Sequence, residues 1–119
     1  MPWTVLIHDE FEPEAASWPV AAREGLVASM ELLAAIGPQL NRPHADTLTG
    51  SRFVNMKELR FRTRDGIWRI AFAFDPNRRA VLLVGGDKAG LDQRRFYRRL
   101  IAKADHRFAK WLATQGEDG

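Results

Sequence analysis

Large apolar and charged residues alternate along two neighbouring stretches in the middle of the chain. In residues 58–62, leucine and phenylalanine alternate with Glu58, Arg60 and Arg62; in residues 67–75, tryptophan, isoleucine and phenylalanine alternate with Arg69 and small residues. Because successive side chains of a strand point to opposite faces, each stretch predicts a strand with one large apolar face. The run at residues 80–88 predicts a third strand.

Helical spacing flanks these strands. Apolar residues recur at steps of three and four in residues 20–36 and at steps of four in residues 91–112, which predicts two helices. Residues 3–7 predict a first strand, and Pro13 begins a short helix that Pro19 interrupts. Gly37 and Pro38 end the second helix, and residues 38–55 form a turn-rich connection. The predicted order is β-α-α-β-β-β-α: an α+β domain over residues 1–115, with a mainly antiparallel sheet packed on helices, and a frayed tail over residues 116–119.

The turns between the strands determine which side chains share a face. An even-length first turn keeps both large apolar faces together, placing Arg62 opposite Arg69 if the turn is residues 65–66 and Arg60 opposite Arg69 if it is residues 63–66. A four-residue turn at 76–79 then sets Arg69 opposite Gly86, with Lys88 diagonal to it. Either way Glu58 shares this face, and Gly85–Gly86 leaves room for the backbone of a ligand.

Like charges that face each other on a sheet repel, so this basic face favours an anionic ligand. Arginine suits phosphate because its planar fork donates two hydrogen bonds. Solvated arginines paired with Glu58, Asp65 and Asp75 are the alternative. Residues 1–50 carry 2 Lys/Arg and 7 Asp/Glu, and residues 51–119 carry 16 and 8. This asymmetry indicates a nucleic-acid or acidic partner, or two halves that neutralise each other.

Composition excludes several classes of site. The chain of 119 residues has no cysteine, which excludes disulfides, thiolate zinc sites and cysteine nucleophiles. No apolar run reaches the ~18 residues of a membrane span, and the N-terminus does not resemble a signal peptide. We therefore expect a cytoplasmic protein without a membrane contact. His8, His44 and His106 share no spacing, so neither a metal nor a cofactor is expected.

Five segments in this order resemble the RelE/ParE toxins of bacterial type II toxin–antitoxin modules, in particular the HigB or phage Gp49-like branch. They are residues 45–52 (ADTLTGSR), 56–60 (MKELR), 68–76 (WRIAFAFDP), 82–88 (LLVGGDK) and 94–97 (RRFY). The resemblance implies a RelE-like fold and a toxin that cleaves mRNA, usually on the ribosome. It also implies a cognate helix-turn-helix, HigA-like antitoxin. Matched to the family, the basic positions fall on Arg60, Arg69 and Lys88, and the chain departs from RelE-type relatives at Glu58, where they carry lysine.

Metal-free RNA cleavage needs a base for the 2′-hydroxyl, cations for the phosphorane and an acid for the 5′-oxygen. Arg60, Arg69 and Lys88 supply the cations. Glu58 is the candidate base, and its neighbouring arginines are expected to lower its pKa. The acid is Lys88 or Tyr97. Further candidates for contact with mRNA or rRNA phosphates, or alternatively for a solubilising surface, are Arg62, Arg94, Arg95, Arg99 and Lys103.

Two other functions stay open from the sequence. A ParE-like toxin would inhibit DNA gyrase through protein contacts without an enzymatic reaction, and a catalytically inactive relative would only dock RNA or a partner. The basic groups at Arg69 and Lys88 favour the nuclease, whereas Glu58 keeps the inactive relative open. Codon preference, oligomeric state and the antitoxin-binding surface do not follow from the sequence.

Overall fold

A five-stranded sheet forms the centre of the structure. A computed structural model describes residues 2–118, with side chains described as far as residue 115. The strands are β1 Thr4–Ile7, β2 Ala45–Thr47, β3 Lys57–Thr63, β4 Gly66–Phe74 and β5 Arg79–Asp87. They lie in the order β1-β5-β4-β3-β2. Only the β1–β5 pair is parallel among these strands, which confirms the predicted mainly antiparallel α+β fold.

Three α-helices join and cover the strands: α1 Glu12–Ala16, α2 Val20–Ile36 and α3 Gln93–Asp118. Helix α2 ends where Gly37 takes a φ of 73°, a backbone conformation that glycine adopts without steric cost. Within the described part of the chain, no helix is long and apolar enough to cross a membrane. The frayed tail expected at residues 116–119 stays a prediction, because Gly119 and the side chains of residues 116–118 lie outside the description.

The segment that we expected to be only a connection contains a further strand. Residues Ala45–Thr47 pair antiparallel with Lys57–Leu59 at the edge of the sheet. The expectation was incomplete because a three-residue strand after a proline-containing turn is too short to show a periodicity of its own. Its pairing comes from β3, and it brings the preceding residues 42–44 beside the basic face.

The sheet is covered on both faces. On one face, α2 packs Leu26 and Leu33 on the large residues of β3 and β4. On the other face, α3 packs Leu100 and Phe108 on Ala71 and the neighbouring small residues. The face with large side chains and the face with small side chains therefore both contribute to the core. The small residues make room for α3. At one end of the second face, the first turns of α3 cover Glu58 and Arg69, whereas Arg60 is half-buried and Arg62 is exposed.

The register of the basic strands matches the longer of the two turns. Arg60 lies directly opposite Arg69, and Thr63 opposite Gly66. Arg69 in turn lies opposite Gly86, as expected, because a bulge between Ala71 and Phe72 compensates a one-residue shift at the β4–β5 turn. At this bulge Leu83 and Val84 both face α3, so the residues of β5 beyond it return to the expected register. The three basic residues Arg60, Arg69 and Lys88 therefore share one face of the sheet.

The glycine pair of β5 has a packing role that the sequence interpretation missed. A Cβ atom on Gly85 would lie 2.9 Å from both Ile70 and Trp18. Gly85 is therefore needed because the core fills the space that a side chain would occupy. A Cβ on Gly86 would lie 3.4 Å from Phe96 of α3, so this glycine admits the first turn of the helix.

Arg107 anchors the last helix to the rest of the fold. Its Nη1 and Nη2 atoms donate to the two carboxylate oxygens of Glu14 at 2.9 and 2.6 Å, and Nη1 also donates to the carbonyl of Leu83 at 2.7 Å. The side chain is buried. Arg107 follows Arg95, Arg99 and Lys103 at a step of four, but unlike these exposed residues it is part of the core.

Candidate active site

Four side chains converge at the end of the basic face that the first turns of α3 cover; we call them the Glu58 cluster. They are Glu58 of β3, Arg69 of β4, Lys88 just after β5 and Tyr97 of α3. The hydroxyl of Tyr97 donates to Glu58 Oε1 at 2.9 Å. The Nε atom of Arg69 lies 3.8 Å from the same oxygen, and Lys88 Nζ lies 5.6 Å from the centre of the Tyr97 ring.

The local sequence fixes each member of the cluster. Alternation places Glu58 and Arg69 on one face of neighbouring strands. The backbone N–H of Lys88 donates to the carbonyl of Ile67 at 2.8 Å, which prolongs the β4–β5 pairing to this residue. Asp92 caps α3 by accepting a hydrogen bond from the backbone N–H of Arg95 at 2.9 Å, as N-cap aspartates do. The cap sets the start of the helix and thus the position of Tyr97 in its first turns.

Arg69 is unusually buried for a residue expected to contact a substrate. Its side chain is 6% exposed, and Nη1 donates to the carbonyl of Trp68 at 3.0 Å. Its Nε atom has no hydrogen-bond partner among the described residues. A buried N–H of a charged group without an acceptor is costly. An anionic oxygen brought close to Arg69 would supply the missing acceptor.

The pKa of Glu58 is shifted in the direction opposite to our expectation. Burial raises it above its ordinary value, and the hydrogen bond from Tyr97 and the charge of Arg69 offset only part of this effect. The expectation considered the arginines alone, whereas α3 removes the carboxyl group from water, which penalises its charged form. A carboxylate with a raised pKa is a stronger base than an ordinary one.

Burial and neighbouring charges also shift the pKa values of Lys88 and Tyr97. Burial, then the charge of Arg69, lowers the pKa of Lys88, which makes its ammonium group a better acid at neutral pH. Burial, then the charge and hydrogen bonding of Glu58, raises the pKa of Tyr97. A base whose pKa is raised toward neutrality and an acid whose pKa is lowered toward it form the pair that general acid–base chemistry needs.

A groove of about 520 Å³ begins at Arg69 and runs along β3. Two carboxylates pair with its arginines among the described residues. Asp46 lies 2.8 Å from Arg42 and 3.9 Å from Arg60, and Glu58 lies 3.8 Å from Arg69. The groove therefore carries excess positive charge. It is lined by Arg42, Pro43, His44, Arg60, Phe61, Arg62 and Arg69.

Arg42 and His44 line this groove although no sequence motif had singled them out. They lie beside the basic face because the backbone N–H of Arg60 donates to the carbonyl of His44 at 2.8 Å and β2 follows directly. The available signal was the basic-x-basic spacing of these two residues just before a short β-type segment. It is weak without knowledge of which strand that segment joins.

The basic residues of α3 divide between two sides of the helix. Arg94 lies three positions before Tyr97 and therefore on the side of the Glu58 cluster. Arg95, Arg99 and Lys103 follow at steps of four and line a different groove. A helix turns about 100° per residue, so Arg95 and Arg99 are each about 200° away from Tyr97. The structure thus brings Arg62 and Arg94 toward the cluster but not these three residues.

The three histidines lie on separate parts of the fold: His8 just after β1, His44 just before β2 and His106 in α3. His8 is buried, and its Nδ1 accepts a hydrogen bond from the backbone of Glu10 at 3.1 Å. Among the residues with described side chains, no three His, Asp or Glu gather into a group suited to a metal ion.

Known proteins with similar sequences give a consistent picture. Residues 14–109 match the family described as "Phage derived protein Gp49-like (DUF891)". The putative toxin HigB3 of Mycobacterium tuberculosis (strain ATCC 25618 / H37Rv) is 43% identical over 111 residues, which cover 90% of this chain and 95% of HigB3. The putative toxin HigB2 of the same organism is 46% identical over 97 residues, 80% of this chain; the chain spans about half of HigB2, 47%.

A solved structure has the same fold. A double mutant of the E. coli toxin RelE in the free state superposes with a TM-score of 0.60, covering 87% of this chain and 97% of RelE. The two sequences are 12% identical. At that identity the likeness concerns the fold and not the individual site residues.

Proposed function

Because the chain belongs to the Gp49-like family and is a HigB-type toxin of the RelE superfamily, we propose that it is a ribosome-dependent mRNA endoribonuclease. The reaction requires no metal ion in this proposal. One observation carries it: Glu58, Arg69, Lys88 and Tyr97 come together on a basic face. They provide a base, cations and an acid within one small site.

Glu58 would accept the proton of the 2′-hydroxyl as its oxygen attacks the phosphorus. The 2′-oxygen–phosphorus bond forms, the phosphorus–5′-oxygen bond breaks, and the products are a 2′,3′-cyclic phosphate and a 5′-hydroxyl. Arg60, Arg69 and Lys88 stabilise the extra negative charge of the phosphorane. We assign the proton transfer to the 5′-oxygen to Lys88, since its pKa is lowered. Tyr97 already donates to Glu58 and is assigned the role of orienting this base.

The arginine-lined groove suggests the path of the RNA. Phosphates on one side of the scissile bond would lie along Arg42, Arg60 and Arg62, and those on the other side near Arg94. These contacts are ionic and indifferent to base identity, so they position the strand without selecting a codon. Ribosomal RNA and the decoding of mRNA on the ribosome would supply the sequence context.

The family also supports a protein partner. A HigB-type toxin implies an antitoxin in general, and we infer that it is a cognate, HigA-like protein with a helix-turn-helix domain. We further infer that both proteins act in the cytoplasm, where translating ribosomes are found. The family resemblance, together with a fold shared with RelE, supports these inferences.

The burial of Arg69 favours a second candidate function. With a side chain only 6% exposed, Arg69 reaches a phosphate only if Tyr97 or Glu58 moves aside. A relative that docks RNA along the outer arginines without cleaving it would need no such movement. The unpartnered Nε of Arg69 supports the nuclease instead, because cleavage would give this atom an acceptor.

Inducible expression in a bacterium, with transcript 5′ ends mapped before and after induction, tests the proposal. The wild type should produce new ends within translated codons, and Arg69→Gln should not. Arg64→Gln, an exposed arginine in the β3–β4 turn, is the matched control and should behave like the wild type. Growth arrest without new ends would instead indicate a ParE-like, gyrase-inhibiting toxin, and absence of arrest an inactive docking protein.

A further inference from the structure

A second groove, of about 400 Å³, lies between α3 and β5 on the side of the helix that faces away from Tyr97. Strand β5 contributes Val84 and Gly85 to its wall, and β4 contributes no residue. The groove therefore follows the edge of β5 that faces β1. It is lined by Val84, Gly85, Leu91, Arg95, Phe96, Arg99, Leu100 and Lys103, with Gly90 and Asp92 at the loop before the helix.

Strand β5 is open along this edge. Its neighbour β1 pairs only with Arg79–Leu82, and the backbone N–H of His8 makes the next bond, to the carbonyl of Leu82. Arg107 occupies the carbonyl of Leu83. Beyond this point, residues 84–87 pair with β4 alone among the described strands. An open edge of this kind is a template for a further strand, since its N–H and C=O groups need partners.

The groove combines an apolar floor with basic walls. Leu91 is 55% exposed at its mouth, whereas Leu100 is buried in the floor. Arg95, Arg99 and Lys103 are exposed along one side. Among the described carboxylates close to them, Asp92 caps the helix, and Glu14 lies 3.9 Å from Lys103 while it binds Arg107. The cations thus outnumber the carboxylates.

These features distinguish a peptide from RNA. RNA can match this edge only in part, because its phosphates only accept hydrogen bonds and the 2′-hydroxyl is the single backbone donor of each nucleotide. A peptide backbone supplies both donors and acceptors. Its alternate side chains point to opposite sides, so acidic residues on one side meet the α3 cations while apolar residues meet Leu91 and Val84.

We propose that this groove binds an extended, acidic segment of a protein partner, which adds a strand to β5. The proposal does not depend on which reaction the Glu58 cluster performs. It assigns Arg95, Arg99 and Lys103 to a protein partner, whereas Arg62 and Arg94 remain with the RNA groove.

Fluorescence anisotropy with three labelled probes tests this assignment on the full chain. The probes are a decapeptide of alternating Glu and Val, the same peptide with every second backbone nitrogen methylated, and a ten-nucleotide single-stranded RNA. The double variant Arg95→Glu/Arg99→Glu should bind the peptide at least about tenfold more weakly than the wild type. The matched control Arg62→Glu/Arg94→Glu, with the same charge change, should bind it within about twofold and lose RNA affinity instead.

Methylation should remove most of the peptide binding, because it blocks the backbone donors. Amide exchange at residues 84–87 should slow only with the unmodified peptide. The proposal is wrong if the wild type does not bind the peptide, if both double variants lose it equally, or if the methylated peptide binds as well. RNA affinity that falls only in Arg95→Glu/Arg99→Glu would make this groove an RNA surface. RNA cleavage, measured separately, tests the nuclease and not this groove.

Discussion

Tyr97 and Glu58, 39 positions apart in the sequence, share one hydrogen bond of 2.9 Å that joins α3 to β3. This bond stabilises the charged form of Glu58 within a buried site. Tyr97→Phe removes the hydroxyl and keeps the ring, so we expect the pKa of Glu58 to rise further. A carbon-detected NMR titration of the Glu58 carboxyl group measures this directly. An unchanged or lower pKa in the variant would show that the bond does not determine the charge state of Glu58.

The stability of the fold should depend on pH through Glu58. Burial raises the pKa of this residue in the folded state above its ordinary value of 4.5, so the folded protein holds the proton more tightly than the unfolded chain. This contribution is fully present below about pH 4.5 and is lost as pH rises through the raised pKa. Glu58→Gln cannot lose the proton, so it should gain stability relative to the wild type over that interval.

Urea unfolding at a series of pH values checks this prediction. Asp65→Asn, in the exposed β3–β4 turn, is the control for changing a carboxylate near the same strands. If the difference between wild type and Glu58→Gln stays constant with pH, the folded and unfolded pKa values of Glu58 are equal. The same variant should lose RNA cleavage if Glu58 is the base.

Arg60 should reduce stability while serving the site. It lies directly opposite Arg69, and like charges in this arrangement repel. Arg60→Gln should therefore raise the free energy of unfolding at low salt by about 0.2–1 kcal/mol, and high salt should shrink the gain. Urea unfolding at two salt concentrations measures it, with Arg64→Gln as control. A loss of stability would show that the contact of Arg60 with Asp46, 3.9 Å away, outweighs the repulsion.

Glu14 should stabilise the fold through Arg107. The hydrogen bonds from Arg107 are the main cause that holds the pKa of folded Glu14 below its ordinary value. The contribution of Glu14 to stability is therefore present at pH values above the ordinary pKa and is lost as pH falls through the pKa of the folded state. Glu14→Gln should cost about 1.5–3 kcal/mol at neutral pH and less in acid. Unfolding measured at neutral and acidic pH tests this, with Glu12→Gln, exposed on the same helix, as control. Equal costs at both pH values would contradict the ion pair.

Much of the fold follows from residue alternation. The pattern of residues 58–75 determines both strands, their large apolar face and the basic face, and the even-length turn leaves only two registers. The structure selects the one that puts Arg60 opposite Arg69. Strand β2 escaped prediction because its three residues acquire their conformation from pairing with β3, which local sequence does not encode.

The site was harder to foresee, because its chemistry depends on distant parts of the chain. Arg69 and Lys88 follow from strand register, but the contact of Tyr97 with Glu58 depends on where α3 crosses the sheet. The same crossing buries Glu58 and reverses the expected direction of its pKa shift. Charged residues on neighbouring strands can be recognised in a sequence. The burial of a carboxyl group by a helix 39 residues away cannot.

The parallel pairing of β1 with β5 has a consequence for the order in which the protein folds during its synthesis. Thr4 pairs with Arg79, and Glu14 binds Arg107, 93 positions later. Contacts so far apart form only after the intervening chain is available. During translation, the first strand can therefore pair only after β5 has been made. The first helix gains Arg107, and Glu58 gains Tyr97, only after α3 has left the ribosome. The topology thus delays assembly of the site until α3 has been synthesised.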